Sequence, residues 1–365
     1  MKGTCHNNLS KMLNCKNNLL DTIITKKKKC LQRHPISGSR KGQKNINLFM
    51  PERVIFNPVS LEYPLGRKVY RYFQDKPVEI IEATAGNAAC HIPGKTPAEQ
   101  YASSKKTIFV TISRINKLDV CKPSADYQFS LVSSCPGSCE YCYLQTTQGA
   151  KPFIKVFVNL EDIFNVIKDH IKPDENSVTT FEAASLGDPL ALEHITGALA
   201  KTIEFFSGLK NGKLRAVTKY NNVDSLLNLE HNRHTEFRIS INSEYVIMNF
   251  EHNTCNLEER TEAVKKLANA GYPVGFIVAP IMLYENWKEE YHALFQKLRS
   301  RLGENLCREE LSFELIQYRY TSAAKDLILR RFPATRLDMN DESRSLKWGR
   351  FGRYKYVYQK EQARE

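Results

Sequence analysis

Apolar residues recur along this chain with two periods, and the periods alternate. Short runs rich in β-branched and aromatic residues fall at 107–112, 129–132, 154–158, 179–183, 214–217, 237–241, 275–279 and 311–316. Between several of them, apolar positions repeat every three to four residues, most clearly at 161–171, 194–206, 257–270 and 285–302. The first pattern predicts strands and the second amphipathic helices. Strands alternating with helices imply a parallel sheet, because parallel neighbours are joined by crossovers. Six or so such units suit an α/β fold built as an open or partial (β/α) barrel better than a doubly wound sheet. No internal repeat stands out.

The pattern divides the chain. Residues 1–48 lack either period and read as a disordered extension. Residues 49–106 form a mixed segment expected to pack on the barrel, and 107–320 form the barrel itself. In the segment 321–365, bases and aromatics interleave around Gly349 and Gly352, which predicts a basic, aromatic hairpin.

Charge changes this picture only locally. Of the formal net charge of +13, residues 1–48 supply +10, from eleven Lys/Arg and the single acid Asp21. The remainder is close to neutral, so the basicity belongs mainly to the extension. Its Lys/Asn-rich composition argues against a mitochondrial presequence, and a start near Met50 is expected. No secretory leader is apparent, and no apolar run approaches the roughly 20 residues of a membrane span. A cytoplasmic protein with no membrane partner is expected.

Ten cysteines would suit a disulfide framework in a small secreted domain, but a chain of 365 residues needs no such staples. Three are packed into eight residues, as Cys135-Pro136-Gly137-Ser138-Cys139-Glu140-Tyr141-Cys142, just after a predicted strand. Zinc sites normally draw four ligands, often as two C-x2-C pairs, and no second pair follows. Three thiolates on a four-iron cube leave one iron open for a cofactor or substrate. Cys135, Cys139 and Cys142 are therefore read as ligands of a 4Fe–4S cluster in a loop at a strand end, where barrel active sites collect.

This spacing, with an aromatic before the last cysteine, resembles the radical S-adenosylmethionine superfamily. Longer segments resemble one family within it, the spore photoproduct lyases. They include Leu61-Glu62-Tyr63-Pro64-Leu65-Gly66, Lys122-Pro123-Ser124-Ala125-Asp126-Tyr127, Val217-Thr218-Lys219, Phe313-Glu314-Leu315-Ile316-Gln317 and Lys347-Trp348-Gly349-Arg350. The resemblance runs from Phe49 to Gln359. It implies a 4Fe–4S cluster, S-adenosylmethionine, a cytosolic electron donor and damaged double-stranded DNA as partners. The implied activity is reversal of 5-thyminyl-5,6-dihydrothymine to two thymines. There an adenosyl radical abstracts hydrogen from C6, the methylene bridge breaks, and a thiol returns hydrogen to the allyl radical.

Carried over by position, Lys219, Ser240, Ser185 and Asp188 fall on the cofactor side. Tyr141 and Tyr143 flank the last cluster cysteine, and Tyr143 matches a position implicated in hydrogen transfer. Lys347, Arg350 and Phe351 fall in the DNA-contacting hairpin, the last two at its tip. The match breaks at Ser185, where the family carries its donor cysteine, because an alcohol O–H is too strong to quench an allyl radical. Gly187 replaces a cofactor-side serine, and a C-terminal segment that many relatives carry is missing after Gln359. Repair then requires another thiol. Cys90, among small residues and turn formers, is the preferred donor and Cys121 the other candidate, while Cys255 and Cys307 are expected to be exposed and remote. A non-repair radical enzyme acting on another nucleic-acid or small substrate is the alternative function.

Overall fold

The alternation read from the sequence is present, but it builds two sheets. A computed structural model describes residues 48–174, 176–307, 311–349 and 354–365. In chain order the strands are β1 (Arg53–Phe56), β2 (Glu79–Glu82), β3 (Thr107–Thr111), β4 (Asp119–Val120), β5 (Tyr127–Gln128), β6 (Val132–Ser133), β7 (Ser138–Cys139), β8 (Ile154–Phe157), β9 (Thr179–Glu182), β10 (Gly212–Thr218), β11 (Thr235–Ile241), β12 (Glu251–His252), β13 (Val274–Ile281), β14 (Ser312–Gln317), β15 (Arg344–Trp348) and β16 (Tyr354–Tyr358).

One sheet has the order β2-β1-β3-β8-β6 and the other β14-β13-β11-β10-β9-β5-β4. Both are parallel except at the short β6–β8 and β4–β5 pairs. The larger sheet is curled into a half-barrel. Ser124, in the loop between β4 and β5 at one edge, lies 3.2 Å from the carboxylate of Glu314 on β14 at the other.

The run at 129–132, expected as one strand, is instead the crossing between sheets. β5 pairs with β9 in one sheet and β6 with β8 in the other, with Phe129 and Leu131 buried between them. Residues 49–106 carry more order than their mixed composition suggested. They supply β1, β2 and two helices, Pro64–Gln74 and Pro97–Lys105, the second closed by a capping box between Thr96 and Glu99. The helix expected at 194–206 is two, Glu193–Thr196 and Ala198–Ser207, divided at Gly197 with φ +64°. Glu193 accepts from the N–H groups of Leu199 and Ala200 and so caps the second piece. The helix expected at 285–302 spans Trp287–Cys307, with a non-helical break at Gly303.

Residues 48–365 form one compact unit around one main apolar core. Among the described residues, no helix is long and apolar enough to cross a membrane. The C-terminal segment is fastened to the cysteine loop through helix Ser322–Arg331. Arg331, 4% exposed, donates to the carbonyl and side-chain oxygens of Gln145 (2.7 and 2.6 Å) and to the Gly149 carbonyl (2.7 Å). Its guanidinium also lies 4.8 Å from the Tyr101 ring centre. Gln145 in turn donates to the Cys139 carbonyl at 3.0 Å. Removing the guanidinium strands several buried acceptors at once. Arg331→Ala is expected to lower unfolding free energy by about 3 kcal/mol, measured by chemical denaturation with far-UV circular dichroism, and to loosen the cysteine loop.

Candidate active site

The cysteine loop is shaped by backbone constraints on both sides. Ser134 takes φ +65°, turning the chain out of β6. Lys105, buried at the end of its helix, donates to Ser134 Oγ (3.2 Å) and to the Cys135 carbonyl (3.0 Å). A Cβ on Gly137 would lie 3.0 Å from the Tyr220 hydroxyl and 3.5 Å from Cys135 Sγ, so this turn suits glycine. Cys139 lies in β7, which pairs antiparallel with β12 and sets Cys139 opposite Glu251.

Cys135, Cys139 and Cys142 are free thiols. Burial pushes Cys135 up to about 11 and raises Cys139 further, and the neighbouring Cys142 adds to both. No three His, Cys, Asp or Glu side chains among the described residues are arranged to hold a single metal ion. One ion would draw its thiolates to within roughly 4 Å of one another, given metal–sulfur bonds near 2.3 Å. A four-iron cube instead gives each thiolate its own iron and spaces them wider. The loop's donor set fits that group.

Beside the loop stands a buried ion cluster. Lys219, just past the end of β10, donates from Nζ to Ser240 Oγ on β11 (2.8 Å), Glu251 Oε1 (2.9 Å) and the Tyr141 hydroxyl (3.0 Å). Tyr141 also donates to Glu251. The other oxygen of Glu251 receives Arg260 Nη2 at 2.5 Å, and Arg260 is fully buried. Burial alone would raise Glu251, but Arg260 and Lys219 outweigh it and hold this carboxylate at about 2. Asp188 is braced differently. Its oxygens accept from Thr218 Oγ1 (2.9 Å) and the Lys219 N–H (3.0 Å), so it fixes the end of β10, and its charge also reaches Cys135.

Position 185 is where the structure changes the reading of the sequence. Ser185 Oγ donates to Glu182 (3.1 Å), its carbonyl accepts the Tyr143 hydroxyl, and its Oγ lies 3.7 Å from Cys121 Sγ. Tyr143 is 62% exposed overall, while its hydroxyl is bonded to the Ser185 carbonyl. Cys121 is half-buried, and burial together with the charge of Glu182 raises its thiol. Cys90, the donor preferred from sequence, sits elsewhere. It is exposed on the turn Ala88–His91, which packs over Ile55 and Phe109 of the smaller sheet and is tethered by Lys151. Small residues let that turn lie close to the smaller sheet, on β1 and β3 rather than at β6, where the cysteine loop leaves it. Cys255, expected to be exposed and remote, is half-buried and donates its N–H to the Lys219 carbonyl (3.2 Å), which places it beside the cofactor-side lysine. The side chain of Cys307 lies outside the described residues.

The hairpin forms as expected, from β15 and β16. Lys347 faces Lys355 across it, and Trp348 faces Tyr354 with ring centres 4.9 Å apart, 62% and 57% exposed. Arg350 and Phe351 lie outside the described residues. Sequence reading missed Lys105, Glu251, Arg260 and Arg331. Each sits in an ordinary polar stretch, and only the tertiary fold buries it beside the cysteine loop or Lys219.

Comparison with known proteins agrees with this geometry. The family model described as "Spore photoproduct lyase" matches residues 49–365. Spore photoproduct lyase of Geobacillus sp. (strain Y412MC61) is 45% identical over 317 residues, covering 87% of this chain and 93% of the relative. That of Bacillus subtilis (strain 168) is 44% identical, covering 87% and 92%. A solved mutant of spore photoproduct lyase with bound AdoMet and dinucleoside spore photoproduct superposes with a TM-score of 0.83 at 46% identity, covering 87% of this chain and 93% of that one. With its curled half-barrel and its cysteine loop matched along nearly the whole length of these relatives, this chain belongs to the spore photoproduct lyase family.

Proposed function

We infer that this chain reverses the spore photoproduct in DNA to two thymines, as a radical lyase that uses S-adenosylmethionine and a 4Fe–4S cluster. The observation that carries the reading is the 3.7 Å approach of Cys121 to Ser185 beside the cysteine loop, in a chain matched over 93% of a lyase relative. It supports a thiol acting beside the position that lacks the family's cysteine, and so favours repair over the alternative of a non-repair radical enzyme.

When bound, the cluster and cofactor supply the adenosyl radical. Cys135, Cys139 and Cys142 would hold the cluster, three thiolates for four irons. Lys219 Nζ and Ser240 Oγ, already 2.8 Å apart, offer donors to a carboxylate and to ribose hydroxyls. Asp188 keeps Lys219 in place through its backbone. Cys121 gives its hydrogen atom to the thymine allyl radical. The S–H bond breaks homolytically, a C–H bond forms on the methyl carbon, and a thiyl radical remains. Tyr143, whose hydroxyl shares Ser185 with that thiol, passes a hydrogen atom to the thiyl and becomes the radical itself.

The hairpin engages the DNA, read here as a duplex. Lys347 and Lys355 repel each other across the stem and suit phosphates, while Trp348 and Tyr354 offer exposed faces to unstacked bases. A cytosolic electron donor and a cytoplasmic site complete the reading.

Alanine at Cys135, Cys139 or Cys142 is expected to abolish 5′-deoxyadenosine formation by anaerobically reconstituted protein, and full cleavage by any of the three would overturn the ligand assignment. With dinucleotide spore photoproduct, Cys121→Ala should divert product from thymine to reductant adducts, whereas Cys90→Ala should leave the thymine yield at the parental level. The reverse pattern would return the donor role to Cys90. Trp348→Ala should weaken binding of damaged duplex by about 5- to 150-fold, corresponding to roughly 1–3 kcal/mol of lost stacking, as read by fluorescence anisotropy.

A further inference from the structure

We propose that Glu314 is a positioning residue for the Cys121 thiol, acting through Ser124 from the opposite edge of the half-barrel. The proposal rests on the reading of Cys121 as hydrogen donor. Residues 121–126 form a closed loop between β4 and β5, with the Ala125 N–H on the Cys121 carbonyl and the Cys121 N–H on the Asp126 carbonyl, both 3.1 Å. Asp126 clamps one end of this loop. Its Oδ2 accepts the N–H and hydroxyl of Thr180 on β9, each at 2.9 Å, and its Oδ1 accepts Lys122 at 2.7 Å. Those contacts fix where the loop starts, but not how far its middle reaches into the barrel.

The middle is held from across the sheet. Ser124 Oγ donates to Glu314, 3.2 Å from both carboxylate oxygens, and the Ser124 carbonyl accepts from Arg215 on β10. Glu314 is itself paired with Arg238 on β11 at 2.8 Å, and Arg215 with Glu236 at 2.8 Å. Side chains alternate along a strand, so Arg238 and Glu236 share the face of Ser240, and Arg215 joins that face through its pair with Glu236. The contacts therefore lie inside the concave face that carries the cofactor-side residues. The Cys121 loop is a strap pinned to β9 near its own edge, to β10 in the middle and to β14 at the opposite edge. A hydrogen donor needs this because transfer depends steeply on distance, and a misplacement of about 1 Å can cost on the order of 10²-fold.

The test uses the full chain, reconstituted with cluster, and dinucleotide spore photoproduct as probe. The readout is thymine formed per 5′-deoxyadenosine, with reductant adduct measured in the same samples. Ser124→Ala and Glu314→Ala are expected to lower that ratio about three- to tenfold and raise the adduct, at parental iron content and parental 5′-deoxyadenosine formation. Glu314→Gln keeps an acceptor for Ser124 and should fall less, which separates positioning from charge. An unchanged ratio in both Ser124→Ala and Glu314→Ala, with a reduced ratio in Cys121→Ala, would overturn the proposal while sparing the donor assignment. A parental ratio in Cys121→Ala would overturn the donor assignment and this proposal with it. If Glu314→Ala does not fold, Ser124→Ala decides alone, because it removes only a hydroxyl.

Discussion

The carboxylate of Glu251 is the point on which the site depends. It is buried between the guanidinium of Arg260 and the ammonium of Lys219, and it also takes the hydroxyl of Tyr141. Its backbone pairs with the strand that presents Cys139. One residue therefore ties the cofactor side to the cluster side. Such an arrangement is poor value as pure stability, since dehydrating three charges offsets much of their attraction. What it supplies is registration. Lys219 cannot turn away from Ser240 without leaving a carboxylate uncompensated in the interior, a loss of several kcal/mol.

A second theme is how much of the site is held from outside the barrel. Lys105 comes from the helix that precedes β3, Arg331 from the C-terminal helix, and both end on the cysteine loop or the residue beside it. Thr335 also reaches Glu140, whose other oxygen contacts His252. The same segment that leads into the hairpin thus continues into the packing around the cysteines, so the part of the chain suited to DNA and the part suited to the cluster share one set of buried contacts.

The barrel was legible because parallel strands bury both faces and read as plain apolar runs, as at Phe237–Ile241 within β11. The cysteine spacing was legible because ligand geometry is local. The crossing at Phe129–Leu131 was not, because an apolar run looks the same whether it stays in one sheet or passes to another. Nor was the choice between Cys90 and Cys121. Small neighbours made Cys90 attractive, whereas the worth of Cys121 depends on Ser185, 64 positions further on, and on a strap reaching residues on β10 and β14. Arg260 carries no signal at all in sequence, since a fully buried arginine on an amphipathic helix reads as an ordinary exposed one.

The setting of Cys121 has a consequence for the chemistry the protein avoids. Burial and the nearby carboxylates of Glu182 and Glu314 disfavour the thiolate, and it is the thiolate that attacks alkylating agents, disulfides and peroxides. A group kept as S–H is ready to lose a hydrogen atom yet slow toward electrophiles. The same surroundings that favour S–H therefore also slow the first step toward a sulfenic acid or a mixed disulfide.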